Sequence, residues 1–306
     1  MSLHLVYRSY DGENKKNRPA YYSKLLAVAS FLRAAEGVEA EIVFINDGPL
    51  PQERLQLMVS YGEVVTLGGV GMRRSYRYAL QEPRRRNWAG RDVVYFGEDD
   101  YLYRPDAFSK LEAAAEAIPS ADYLALYGST PERPVQDRLK HQALYPKNWR
   151  QLPATTVNGQ AWTNIISTAS TFGARVGALD EDLTIFMQCM LPYRHRYMDH
   201  ETCVVYQGYQ PFEWRALAAN LFLKGHEPLN VRGKRAFAAP FHAALNLRAR
   251  RRSDRRRLLY AADPNLATHL ELSWLSPDVD WEDVALQTAS WARGRGLLTG
   301  AKMGRI

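Results

Sequence analysis

Cysteine is nearly absent from the chain. Cys189 and Cys203 are its two thiols among 306 residues. Two thiols make no disulfide framework. Without a C-x-x-C spacing they form neither a zinc ribbon nor a redox pair, so a reducing compartment is expected. No run approaches the roughly 18 uninterrupted apolar residues that a membrane-spanning helix needs. The opening "MSLHLVYRSYDGENKK" holds too short an apolar run for a secretory signal, and a cytoplasmic protein is expected. A Walker A sequence is missing. Gly69-Val70-Gly71 lacks the third glycine of a dinucleotide fingerprint and follows a third strand rather than a first. His200-Glu201 is no zinc-protease motif, because Val204 stands where a second histidine would be needed. No repeat of fixed period is visible. Acids are outnumbered by bases, 33 to 40, leaving a formal charge of +7. That balance favours anionic partners: nucleotides, phosphorylated sugars, nucleic acid or an acidic membrane face.

What is present is ordinary globular material, 46% hydrophobic and 24% charged, enough for one large α/β domain. The first 130 residues alternate between two periods. Apolar runs at Leu3 to Tyr7, Glu41 to Asn46, Glu63 to Leu67, Asp92 to Gly97 and Asp122 to Gly128 read as strands. Between them lie helical patterns. One is opened by Pro19 and stopped at Gly37, one opened by Pro51 and ended near Gly62. A third is "MRRSYRYALQE", and a fourth runs from Pro105 to Ile118. The strands are continuous apolar runs, which predicts a mostly parallel sheet with helices on both faces. Ligands then gather at the carboxyl ends of the strands. Two acidic elements fall there: Asp47 after the second strand, and Glu98-Asp99-Asp100 after the fourth. Beyond about residue 131 the alternation fades. "AWTNIISTASTFGARVGAL" reads as a strand entering a helix, and "YMDHETCVVYQGY" as a helix with acids at its start.

Three adjacent acids at a strand end repel one another, so a positive partner is expected. Mg²⁺ or Mn²⁺ prefers oxygen ligands and takes one or two carboxylates plus substrate phosphates. In extended chain the side chains of Glu98 and Asp100 share one side. The bland alternative is a solvated turn. Asn46-Asp47-Gly48-Pro49 is strong turn chemistry in its own right.

The strand ending "FINDG", the turn and basic helix "GGVGMRRSYRYAL", and the strand ending in an acid triplet together resemble a GT-A-fold glycosyltransferase of the family 2 type. The resemblance implies an α/β GT-A fold, with a mostly parallel central sheet flanked by helices and a C-terminal extension. Residues 1–130 would be the nucleotide-sugar half and 131–235 the acceptor half of the same domain. Residues 236–306 would be the extension. The resemblance implies a metal-dependent transfer from a nucleotide sugar, a UDP-sugar by expectation, to an acceptor hydroxyl. Asp47 would contact the nucleobase, with Tyr7, Arg8 and Ser9 of the first strand beside it. Glu98 would face the ribose or sugar, with Asp99 next to it. Asp100 would hold Mn²⁺ or Mg²⁺. The chain departs from the family by placing Glu at position 98.

Lys15, Lys16, Arg18 and Lys24, around the first helix start, are candidate anion ligands, as are Arg73 and Arg74. Helix-start acids commonly serve as caps. An inverting transfer also needs a carboxylate base, and Asp199 is the first candidate for it, with Glu201 second. A late histidine closes the metal site in some GT-A enzymes. His269 is the candidate here, with His242 and His226 behind it. Trp162, Tyr209 and Trp214 are sugar-stacking candidates, although such aromatics are ordinary core material. The run from Arg248 to Arg257 reads as a solvated surface first and a patch for anionic lipid second. No nucleic-acid recognition module accompanies it and nucleic acid is not expected. The acceptor is left open among a sugar, a lipid-linked molecule and a small molecule. A sugar-phosphate nucleotidyltransferase and a nucleic-acid-binding protein are the rival readings.

Overall fold

The computed structural model describes residues 1–12, 16–128, 145–146, 148–190, 198–222 and 228–297. The amino-terminal part follows the two-period pattern. Strands β1 (Leu3–Tyr10), β2 (Ala40–Asp47), β3 (Glu63–Leu67) and β4 (Val93–Glu98) alternate with helices. These are α1 (Lys24–Ala35), α2 (Gln52–Tyr61), α3 (Met72–Leu80) and the short α4 (Glu82–Arg85). Then come β5 (Tyr101–Tyr103), α5 (Ala107–Ala117), β6 (Tyr123–Ala125), β7 (Thr155–Val157), β8 (Gln160–Asn164), β9 (Phe172–Arg175) and α6 (Val176–Cys189). The carboxyl-terminal part contributes α7 (Asp199–Tyr206), α8 (Trp214–Leu221), α9 (Leu229–Arg251), β10 (Leu259–Asp263), β11 (Ala267–His269) and α10 (Trp281–Gly294).

Nine strands form one sheet in the order β3-β2-β1-β4-β9-β6-β10-β8-β7. The strands β1 to β4 pair in parallel, as do β6 and β10. Strands β8 and β9 run against their neighbours. The fold is therefore α/β, with a mixed, largely parallel sheet covered by helices. From β1 the chain goes to β2 on one side and later to β4 on the other. The strand order reverses there, and a crevice opens between the carboxyl ends of β1 and β4. Register sets Arg8 beside Glu98 and Tyr10 beside Asp47.

Each face of the sheet has its own apolar layer. One joins Tyr7, Phe31, Phe44, Tyr95, Tyr103 and Phe108. The other joins Val6, Ile45, Phe96, Phe172, Phe186 and Tyr206. Strand β10, drawn from the last quarter of the chain, sits inside the sheet between β6 and β8. A second, two-stranded sheet pairs β11 with β5, setting His269 opposite Tyr101. That pairing carries His269 to the acid triplet.

The arginine run is the end of α9 and the turn after it, and several of its members are tied down. Arg257 and Arg252 both pair with the fully buried Asp182, which also accepts from the Tyr123 hydroxyl at 3.0 Å. Arg256 lies over the Tyr209 ring and donates to its hydroxyl at 2.9 Å. Much of the run is thus held by the protein's own acids and rings.

Candidate active site

A cleft of about 510 Å³ lies at the crevice between β1 and β4. It receives Arg8, Ser9, Asp47, Glu98, Asp99, Asp100 and His269, which the residue order scatters over most of the chain. Lys16, Arg18 and Lys24 line it as well.

Asp47 ends β2 with 2% of its surface exposed. Its two carboxylate oxygens accept the backbone N–H groups of Val70 (2.7 Å) and Gly71 (2.8 Å). The acid therefore fixes the glycine turn that leads into α3. Gly71 sits at φ 86°, a conformation that a side chain would strain, and caps the helix without one. Gly71, Met72 and Ser75 border the cleft, so the first turn of α3 opens onto it.

The acids of the triplet do not face one another unaided. Glu98 pairs with Arg8 and accepts from the Ser170 hydroxyl at 3.0 Å. Asp99 accepts from the Tyr10 N–H at 2.7 Å and from the buried Lys24 at 2.9 Å. Asp100 meets Lys16 at 3.0 Å, Arg18 at 3.2 Å and His269 at 3.0 Å. Burial alone would raise the Asp100 pKa. The His269 hydrogen bond and charge, then Lys16, outweigh it and hold the carboxyl well below the usual range. The positive partner expected for the triplet is supplied by one cation or more for each acid.

Lys16 Nζ lies 3.0 Å from Asp100 Oδ2 and 3.1 Å from His269 Nε2, which are themselves 3.0 Å apart. The ring nitrogen donates to the carboxylate, and the Lys16 ammonium stands against both. Glu271 stands behind the ring, 3.7 Å from Nδ1. Only with the ammonium displaced and the ring nitrogen unprotonated would this carboxylate and imidazole, with Glu271 behind the ring, be a ligand pair of the kind that Mn²⁺ takes. Among the described residues, no group of three or more His, Cys, Asp or Glu is gathered to hold a metal alone. Further oxygen ligands would come from substrate and water.

Asp199 is the first residue of α7. It lines a small pocket beside the cleft with Tyr76, Thr168, Ala169 and Met198. Burial, then the charges of Glu98 and Glu201, push its carboxyl up to about 7, with Arg8 pulling the other way. Glu201 stands on the same helix turn, half-buried, and acts on Asp199 through its charge.

Several expectations are corrected. Tyr7 does not reach the cleft. Strand alternation turns it away from Arg8 into the aromatic layer, against Phe31 and Phe44, where it is fully buried. Trp162 is fully buried core, the ordinary reading of such an aromatic, and not a sugar-stacking surface; His242 is buried against Phe212. Neither borders the cleft, nor do Arg73 and Arg74, whereas Ser75 of the same helix does. Lys15 and His226 lie outside the described residues. Ser75 and Ser170 also border the cleft, and neither is among the candidates that the sequence offers. Nothing in their local sequence marks them, because register and packing alone bring them to Arg8 and Glu98.

No protein-family model matches the chain, and no curated protein matches it. Among solved structures it is similar to residues 1–349 of S. aureus TarS in complex with UDP-GlcNAc. Identity is 17% and the TM-score 0.41, over 67% of this chain and 52% of that one. For the same fragment with UDP, identity is 13% and the TM-score 0.39, over 85% and 60%. It is also similar to 4-diphosphocytidyl-2C-methyl-D-erythritol synthase, at 12% identity and a TM-score of 0.34, over 60% and 79%. The chain spans between half and two thirds of the TarS fragment. A likeness of this size transfers no residue roles.

Proposed function

We propose that the cleft binds a nucleotide sugar and that the protein is a GT-A-type glycosyltransferase, passing the sugar to an acceptor hydroxyl. One observation carries the reading. Acids from β2 and β4 meet Lys16, Arg18, Lys24 and the start of α3 in a single cleft at the switch point of the sheet. A diphosphate needs cations, and Lys16, Arg18 and Lys24 bring them to the cleft, with the positive end of the α3 dipole beside them. The base would lie against the corner formed by Ser9, Asp47, Gly48 and the glycine turn. Arg8 and Glu98 would face the ribose or sugar, with Asp99 held beside them by Lys24.

Asp100 and His269 would hold Mn²⁺ or Mg²⁺, which supplies positive charge to the departing nucleoside diphosphate. Arg18 steadies Asp100, and Lys16 stands within reach of the same phosphates. Asp199 takes the acceptor's proton as its hydroxyl attacks. A carboxyl with a pKa near 7 is matched to that task at neutral pH. The acceptor class is a sugar, a lipid-linked molecule or a small molecule.

A second reading has its own support. The segment after β1 brings Lys16, Arg18 and Lys24 to the cleft, as a nucleotidyltransferase also requires of its basic loop. The products separate the two. The protein is incubated with Mn²⁺ and a panel of nucleotide sugars, and separately with nucleoside triphosphates and sugar phosphates. Release of a nucleoside diphosphate from one nucleotide sugar, lost in Asp100→Ala, supports the transferase. Pyrophosphate release from a triphosphate supports the alternative, and neither product refutes both.

A further inference from the structure

Helices α8 and α9 pack on each other, and α9 rests on α6 and α7. Their inward side is made of Leu217, Ala238, Ala239, His242, Leu245 and Ala249. Their outward side is unusual for a protein surface. Phe222 is 75% exposed, Leu229 65% and Phe237 64%, with Trp214, Leu221 and Leu247 each about half exposed. Along α9, Phe237, Phe241, Ala244 and Leu247 recur at helical spacing on the side away from the core, and the Phe237 and Phe241 rings meet tilted, with centroids 5.7 Å apart. Exposed cations flank this stripe: Arg215, Lys234, Arg250 and Arg251. Over residues 213–251 the only acids in the sequence are Glu213 and Glu227.

We infer that the α8–α9 pair is a membrane-docking surface that lies in the interface of an anionic phospholipid bilayer. Aromatic and leucine side chains beside clustered Lys and Arg form the pattern of a helix seated at the headgroup boundary. The charge selects the occupant. A second copy of the chain would bring one basic face onto another, and a neutral partner leaves the cations unanswered. An anionic lipid surface answers both the apolar stripe and its basic rim. The tied-down members of the arginine run, Arg252, Arg256 and Arg257, are not needed for this docking.

The inference is independent of the chemistry in the cleft. The test is flotation of the full chain with vesicles of phosphatidylcholine alone and of phosphatidylcholine with about one third phosphatidylglycerol, at low and high salt. The protein should float with the anionic vesicles, leave the neutral ones, and detach in part as salt rises. Phe222→Ser with Phe237→Ser should lower the bound fraction at least about tenfold. Lys234→Glu with Arg250→Glu should abolish the preference for anionic lipid. Both pairs should melt as the parent does and keep its response to nucleotide, which separates this surface from the catalytic reading. Absence of binding to anionic vesicles overturns the inference. So does binding that the two phenylalanines leave unchanged, or self-association that they abolish.

Discussion

Replacing Asp199 with Asn removes the proposed base while keeping its shape, and the consequences run in opposite directions for turnover and stability. Burial pushes the carboxyl up to about 7 in the folded protein, from the ordinary 3.8 of an exposed aspartate. Its ionised fraction then rises by roughly two orders of magnitude between pH 5 and pH 8, whereas an ordinary carboxylate is already ionised throughout. Turnover of the parent should climb about tenfold per pH unit up to neutrality and then level. Asn cannot accept the proton, so the variant should lose about 10²–10⁴-fold in kcat. Stability moves the other way. A carboxyl whose folded pKa lies above its unfolded value favours the protonated, folded form. Its contribution is complete below pH 3.8 and is lost as pH rises through 7. The shift caps that loss at ~4 kcal/mol. Asparagine is itself polar and half-buried and keeps part of that desolvation cost, which leaves it a gain of ~1–2 kcal/mol over the charged carboxylate. Asp199→Asn should therefore be about 1 kcal/mol more stable than the parent at pH 8 and no more stable at pH 4. Urea unfolding across pH, run beside the pH–rate profile, reads both. A parent rate that is flat from pH 5 to 8, or a variant less stable at pH 8, refutes the reasoning.

Three further outcomes follow from the same contacts. Lys16→Met removes the ammonium set between Asp100 and His269, so Mn²⁺ should bind the nucleotide-free protein about tenfold more tightly. The Mn²⁺ paramagnetic resonance signal measures this, and equal affinity contradicts it. Asp47→Ala leaves the Val70 and Gly71 N–H groups without their acceptor. It should cost about 1–3 kcal/mol in chemical denaturation and weaken nucleotide binding through the loosened glycine turn. Arg257→Leu strips one cation from the fully buried Asp182 while Arg252 stays. The loss should be about 3 kcal/mol, with no change in nucleotide affinity.

The first four strands could be read from residue order because each is a local apolar run closed by turn chemistry. The acids at their ends were visible for the same reason: Asp47 and the Glu98–Asp100 triplet stand where apolar runs stop. Strand β10 was not read. Its five residues follow a dense charge run, and its place between β6 and β8 depends on pairing with residues about a hundred or more positions away. Tyr7 falls among the cleft candidates only if a strand end is taken as a unit, whereas successive residues point to opposite faces. His269 was named for its type, whereas what brings it to Asp100 is the pairing of β11 with β5. The ion pairs of the triplet were foreseen only as a need for positive charge. That Lys16, Arg18 and Lys24 meet it is decided by the path of the chain between β1 and α1.

Calorimetric titration of UDP, GDP, CDP and TDP into the protein, with and without Mn²⁺, tests most directly whether this cleft holds a nucleoside diphosphate. The account predicts binding of one of the four, strengthened by Mn²⁺, with Asp100→Ala losing the metal's contribution and Arg8→Ala weakening the nucleotide itself. No heat with any nucleotide, or binding that neither substitution alters, would contradict it.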